Sequence, residues 1–149
     1  YDKRHLFTYG GEDRQFTAGR ERVVVEYAGF RILLQVCYDL RFPVFSRNRK
    51  DYDLALYVAS WPTARLSAWT TLLHARAIEN QCYVAGVNRT GDDPACSYSG
   101  GTELIDPYGN TIAACRRGQV DVVTADLDIE PLKAFRSKFP VLDDADPLP

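Results

Sequence analysis

An apolar run, Leu33-Leu34-Gln35-Val36, climbs to a single cysteine, Cys37, and Tyr38-Asp39-Leu40-Arg41-Phe42-Pro43 follows at once. No other stretch constrains the chain as much. The apolar run reads as a buried strand. The charged, proline-punctuated segment behind it reads as a sharp turn into a short helix over residues 43–49. A sulfur at such a turn is held rigidly and faces a substrate from above, and a helix N-terminus beside it favours the thiolate. The competing reading is a packed core cysteine, since free cysteine is among the most buried residue types. Position alone leaves both open.

The flanking pattern places this turn in a mixed fold. Residues 22–27 and 30–36 are strand-like and joined by the tight Ala28-Gly29 turn. Residues 53–60 form another β-capable run, broken by Trp61-Pro62-Thr63. Residues 63–80 have helical spacing, with Leu66, Trp69, Leu72, Leu73, Arg76 and Ala77 toward one side and Thr63 as a candidate cap. A short buried strand at 83–87 precedes a loop at 88–99. Residues 102–105 and 111–115 flank Asp106-Pro107-Tyr108-Gly109-Asn110, a strong hairpin turn. Residues 120–127 alternate like a strand, and 129–138 form a short helix. Residues 8–19 read as a polar, glycine-containing loop. The acidic tail, 143–149, is expected on the surface or against a partner. Strands mixed with helices, hairpins coming late, predict a layered α/β sandwich. A length of 149 residues suits one domain with a real core.

Composition removes several function classes. The net charge is −2, with basic residues spread among acidic ones, which argues against a nucleic-acid binder. No apolar stretch approaches a membrane span, and no signal peptide opens the sequence. The four cysteines, Cys37, Cys82, Cys96 and Cys115, lack metal-type spacing and are too sparse for a disulfide scaffold. A reducing cytoplasm fits them. The sequence has no methionine and opens at Tyr1, so it is expected to be part of a longer protein whose N-terminal portion is missing.

A cysteine nucleophile needs a proton acceptor and donors for the oxyanion. His5 and His74 are the two histidines, which keeps a Cys-His thiol hydrolase open; a structural role for each competes. Lys3 would lower a nearby thiol pKa and donate to a developing oxyanion, or be a solvated surface charge. Glu12 could orient a lysine or a substrate amine, or be a solvated loop carboxylate. Arg41 could bind a substrate carboxylate or a structural acid such as Asp39. Trp61 could wall a pocket or pack in the core. Arg76, Glu79 and Asn80, three and four apart on a helix, suit a polar network beneath the site. Asn88-Arg89 and Tyr98-Ser99-Gly100-Gly101 fall on loops that could border it.

In combination these segments are more specific. Tyr1-Asp2-Lys3-Arg4-His5-Leu6-Phe7, then Glu12, then the Cys37 segment, then Ala75-Arg76-Ala77-Ile78-Glu79-Asn80 resemble the nitrilase superfamily of carbon-nitrogen hydrolases, and within it the omega-amidase branch. The resemblance covers essentially the whole sequence in order. It implies an α-β-β-α sandwich, of which residues 1–149 are the C-terminal portion of a carbon-nitrogen hydrolase domain. It implies Cys37 as nucleophile, Lys3 as the lysine that stabilises the tetrahedral intermediate, and Glu12 as a second glutamate positioning substrate or lysine. The Tyr38 backbone N–H would complete the oxyanion site; Arg41 and Trp61 stay candidates for substrate contact on the residue reading above. The family's general-base glutamate lies upstream of the lysine segment, on a part this sequence does not contain; another chain could supply it. The implied reaction is hydrolysis of a linear amide, the omega-amide of a short dicarboxylate or 2-oxo acid, through a thioester. No metal or organic cofactor is implied, and a homo-oligomer is. The alternative is a non-catalytic fragment or assembly module that keeps the fold.

Overall fold

The computed structural model describes residues 1–146. Its strands are β1 (Val24–Tyr27), β2 (Phe30–Val36), β3 (Leu54–Ala59), β4 (Tyr83–Asn88), β5 (Thr90–Asp92), β6 (Ser97–Ser99), β7 (Glu103–Ile105) and β8 (Thr111–Ala114). Its helices are α1 (Pro43–Ser46), α2 (Leu66–Asn80) and α3 (Ile129–Lys138). Six strands form one sheet in the order β1-β2-β3-β4-β7-β8, and β5 with β6 form a separate hairpin. β2, β3 and β4 run parallel, so each link between them must cross over; β1, β7 and β8 extend the sheet antiparallel.

The register sorts the apolar residues onto two faces. Leu33, Ala55, Val84 and Ile105 are mutual neighbours across four strands, and all are fully buried. α2 covers this face with Leu66, Trp69, Leu73, Arg76, Ala77 and Asn80, a helical stripe. Its close approach is possible because β4 carries Gly86: a side chain there would run into Leu73 and Trp69. Trp69 is fully buried and donates its indole N–H to the Gly101 carbonyl at 2.8 Å. Burial of a side chain of this kind is worth about 1.5–3 kcal/mol. α3 is capped by Asp128, whose side chain accepts from the Glu130 N–H. Arg136 on α3 donates to Asp53 at 2.7 Å, and Asp53 also takes three bonds from Arg31 on β2, two from its guanidinium and one from its N–H, which ties α3 to the sheet.

The opposite face carries Leu34, Leu56, Ala85, Leu104 and Ala113 in one row and Val36, Val58 and Val87 in the next. Among the described residues no helix covers it, and Val58 and Val87 are 43% and 45% exposed. The described residues thus build one helix-covered sheet of the expected α-β-β-α arrangement. No helix among them is long and apolar enough to cross a membrane.

Several local expectations are corrected. Residues 120–127 form no strand: alternation needs a neighbouring backbone to pair with, and Val120 and Val122 are instead 93% and 87% exposed. Thr63 does not cap α2; it opens a 3-10 turn, Thr63–Arg65, and Arg65 takes the cap position without a side-chain bond. The loop at 88–99 contains the β5–β6 hairpin, turned by Asp93, whose carboxylate accepts from the N–H groups of Ala95 and Cys96. Residues 8–19 contain two 3-10 turns, Thr8–Gly10 and Glu12–Arg14. Of the acidic tail, residues 147–149 lie outside the described part.

Candidate active site

β2 ends at Val36, and Cys37–Arg41 makes a 3-10 turn directly after it. Cys37 opens that turn at φ +49°, a left-handed conformation that costs a residue with a Cβ about 1–2 kcal/mol. The sulfur is held above the end of the sheet, with the Ser60 carbonyl at the end of β3 4.0 Å away. Backbone strain concentrates where surrounding structure over-determines it, and here that structure is Asp39.

Asp39 is fully buried. Its carboxylate accepts from the Val36 N–H at 3.0 Å, the Tyr1 hydroxyl at 2.8 Å, the His5 N–H at 2.9 Å and His5 Nδ1 at 2.8 Å. One side chain therefore fastens the cysteine turn to residues 1–5, on either side of Lys3. Burial and then the Asp39 charge hold the Tyr1 phenol well above its ordinary range, so it stays a donor. His5 also stacks on Phe42, with ring centroids 3.8 Å apart.

Lys3 is mostly buried and meets Glu12 at 2.6 Å; the same Glu12 oxygen accepts from the Phe7 N–H at 2.8 Å. Burial works against an ionised Glu12, but the Lys3 and Phe7 bonds outweigh it and hold its pKa below the ordinary carboxylate value. Burial pushes the Cys37 thiol above its ordinary value, and the nearby Lys3 charge pulls part of that back. The turn thus does not by itself make a thiolate, contrary to what the helix-terminus reading suggests.

Cys37, Lys3, Glu12, Tyr38, Arg41 and Trp61 all line one cleft of about 680 Å³. Arg41 does not pair with Asp39. Its guanidinium lies over the Trp61 ring, 5.1 Å from the centroid. Trp61 is only 3% exposed and donates its indole N–H to the Arg65 carbonyl at 2.8 Å, so it is at once packed and part of the wall. The Tyr38 ring meets Phe7 and Phe42 edge-on, each at 5.0 Å.

Neither histidine lines the cleft. His5 is committed to Asp39, and His74 lies between the Gly109 carbonyl at 2.7 Å and Glu103 at 3.3 Å. Arg76 donates to Glu79 and to the Leu40 carbonyl, both at 2.7 Å, and Asn80 donates to the Arg76 carbonyl, which is the polar network expected beneath the cysteine turn. Asn88 joins the ends of β3 and β4 by bonding both the N–H and the carbonyl of Trp61. Tyr98 reaches the cleft but Arg89 does not line it. In the sequence Asp39 stands out only as a possible partner of Arg41, and Arg65 not at all. The signal for Asp39 was an acid two residues after a cysteine at a strand end; Arg65 carried none. Among the described residues no group of three or more His, Cys, Asp or Glu side chains could hold a metal ion.

Residues 1–137 match the family profile described as carbon-nitrogen hydrolase. The sequence is 56% identical over 147 residues to the omega-amidase YafV of Yersinia enterocolitica, covering 98% of this chain and 57% of that one. It is 38% identical over 146 residues to the 2-oxoglutaramate amidase of Bacillus subtilis, covering 97% of this chain and 56% of that one. In structure it matches XC1258 of Xanthomonas campestris, a CN-hydrolase superfamily protein described with an arsenic adduct in its active site. That match has a TM-score of 0.95 at 50% identity, over 99% of this chain and 58% of that one. The chain spans a little over half the length of these relatives.

Proposed function

Because the chain belongs to the carbon-nitrogen hydrolase family, we propose that it carries the cysteine half of an amidase acting on the omega-amide of a short dicarboxylate or 2-oxo acid. The observation that carries this reading is the convergence of Cys37, at a left-handed turn, with the partly buried Lys3–Glu12 pair in one cleft.

Cys37 Sγ attacks the amide carbonyl carbon, forming a tetrahedral intermediate whose negative oxygen is met by Lys3 Nζ and the Tyr38 N–H. The base takes the thiol proton as the S–C bond forms and passes it to the nitrogen as the C–N bond breaks, and ammonia leaves. Water then attacks the thioester carbonyl, the C–S bond breaks, and the acid and the thiol are restored. Glu12 holds Lys3 Nζ in place at 2.6 Å. It is a poor proton acceptor at neutral pH, because its carboxylate is held below the ordinary pKa and one oxygen already takes two donors. We assign the base to a carboxylate outside residues 1–149, in keeping with the upstream glutamate that the family resemblance implies. Arg41, braced on Trp61, takes the substrate carboxylate.

The relatives' names, omega-amidase and 2-oxoglutaramate amidase, support the substrate class. We place the protein in the cytoplasm, on its four free cysteines, and as a homo-oligomer, on the family resemblance. Light scattering after size exclusion reads the latter. Ammonia release from a short omega-amide such as succinamate tests the activity, with Cys37→Ser as the control. Turnover that survives Cys37→Ser would remove the thioester route. No turnover by residues 1–149, restored when an upstream segment is added in cis or in trans, is the expected result. Full activity of these 149 residues alone would place the base within them.

A further inference from the structure

The charged residues lining the cleft are Asp2, Lys3, Glu12, Arg41 and Arg65. Lys3 and Glu12 neutralise each other at 2.6 Å. Among the described residues, the guanidinium groups of Arg41 and Arg65 make neither an ion pair nor a hydrogen bond. Each instead rests on an aromatic face: Arg41 on Trp61 at 5.1 Å, Arg65 on Phe7 at 5.5 Å. These platforms hold the planar group while leaving its N–H donors free, at small cost in side-chain entropy. The two arginines also share a brace. Trp61 carries Arg41 on its ring and bonds the Arg65 backbone through its indole N–H. They reach the cleft from different elements, Arg41 four residues past the sulfur and Arg65 at the start of α2. With the Lys3–Glu12 pair cancelled, two guanidiniums face the single exposed carboxylate of Asp2, and the cleft favours an anion.

We propose that Arg65 is a specificity-determining residue of this cleft, the second of two arginines that grip the anionic end of the substrate's acyl chain. This rests on the reading of the cleft as an amidase site. A carboxylate, or a carboxylate with an adjacent 2-oxo group, presents enough acceptor lone pairs for two guanidinium forks, whereas a neutral alkyl end presents none. Arg65 therefore selects for charge at the end of the acyl chain remote from the scissile amide. Because it holds a part of the substrate that does not change during reaction, its removal raises KM with little effect on kcat.

The test has two arms. In the first, Cys37 is alkylated with neutral iodoacetamide while succinate is titrated in, with no turnover required. Succinate protects the native protein, and Arg65→Gln raises the concentration for half protection about 10- to 100-fold, the range for losing a charged hydrogen-bond partner. Arg65→Lys recovers part of this, which a merely folding-related loss would not do. Protection that is absent from the native protein, or equal in Arg65→Gln, overturns the proposal. In the second arm, run with the upstream segment supplied, Arg65→Gln raises KM for succinamate by a similar factor and KM for neutral butyramide far less; an equal effect on both amides also overturns it. If neither amide is hydrolysed even with the upstream segment supplied, while Arg65-dependent succinate protection persists, the amidase reading fails and the anion site stands.

Discussion

Replacing Asp39 by alanine strands four donors at once: the N–H groups of Val36 and His5, the Tyr1 hydroxyl and the His5 ring. A buried donor left without an acceptor costs about 1–3 kcal/mol. The Tyr1 hydroxyl and the His5 ring belong to partly exposed side chains and regain water, so the two backbone groups dominate, and release of a buried carboxylate offsets some of the loss. The net destabilisation comes to about 3 kcal/mol, which at a typical slope lowers the urea midpoint by roughly 1.5 M. Asp39→Asn keeps one carbonyl oxygen for His5 but turns an N–H₂ group toward the Val36 N–H, so about 1–2 kcal/mol is lost. Urea unfolding followed by tryptophan fluorescence measures both. A second readout separates position from stability. With residues 1–5 released, Lys3 no longer sits beside the sulfur, and Cys37 alkylation below its pKa slows in Asp39→Ala even at zero urea. If Asp39→Ala lay within 1 kcal/mol of the native protein, the four bonds would not be what holds the turn, and the reasoning would fail.

Lys3→Ala in the active enzyme is expected to lower kcat by about two to three orders of magnitude, the range for one oxyanion donor, and Lys3→Arg to restore little; near-native turnover in the alanine variant would exclude the lysine from the chemistry. Cys37 should be alkylated before Cys82, which is fully buried, and its rate should keep rising with pH past the ordinary thiol value because burial raises its pKa. Faster mass-spectrometric labelling of Cys82 would count against the site. Burial pushes the Cys82 thiol from 9.0 up to about 12, so the folded state holds that proton more tightly than the unfolded chain. Stability from this group is complete below pH about 9 and drains away as pH rises toward 12, and denaturation titrations of Cys82→Ala should show a flatter alkaline limb.

Much of this was legible in the sequence because it was written in periodicity. β2 and α3 fell where their patterns put them, and the α2 stripe is buried at Leu66, Trp69, Leu73, Arg76 and Ala77 as the spacing required. Leu72, on the shoulder of that stripe, is only partly buried. The exceptions have physical causes. The alternation at residues 120–127 describes a preference that no neighbouring strand satisfies here, so the valines face outward. His5 looked like a candidate base because histidine chemistry is visible in a sequence, while the acid that claims it, Asp39, is 34 residues away. Arg65 was silent for the same reason. Its place over Phe7 arises only once two separate segments, around residue 7 and residues 61–65, meet at the cleft.

The positive φ of Cys37 sets the chemistry of this fold at odds with its persistence. Glycine visits that conformation freely, and asparagine tolerates it. Either would relieve backbone strain of about 1–2 kcal/mol at the one position where the sulfur must stand. Any screen that rewards survival on heating, without asking for turnover, should therefore drift toward losing Cys37. A lineage released from the need for catalysis would gain by the same change, and a glycine or asparagine in place of this cysteine would mark a descendant kept for its shape alone.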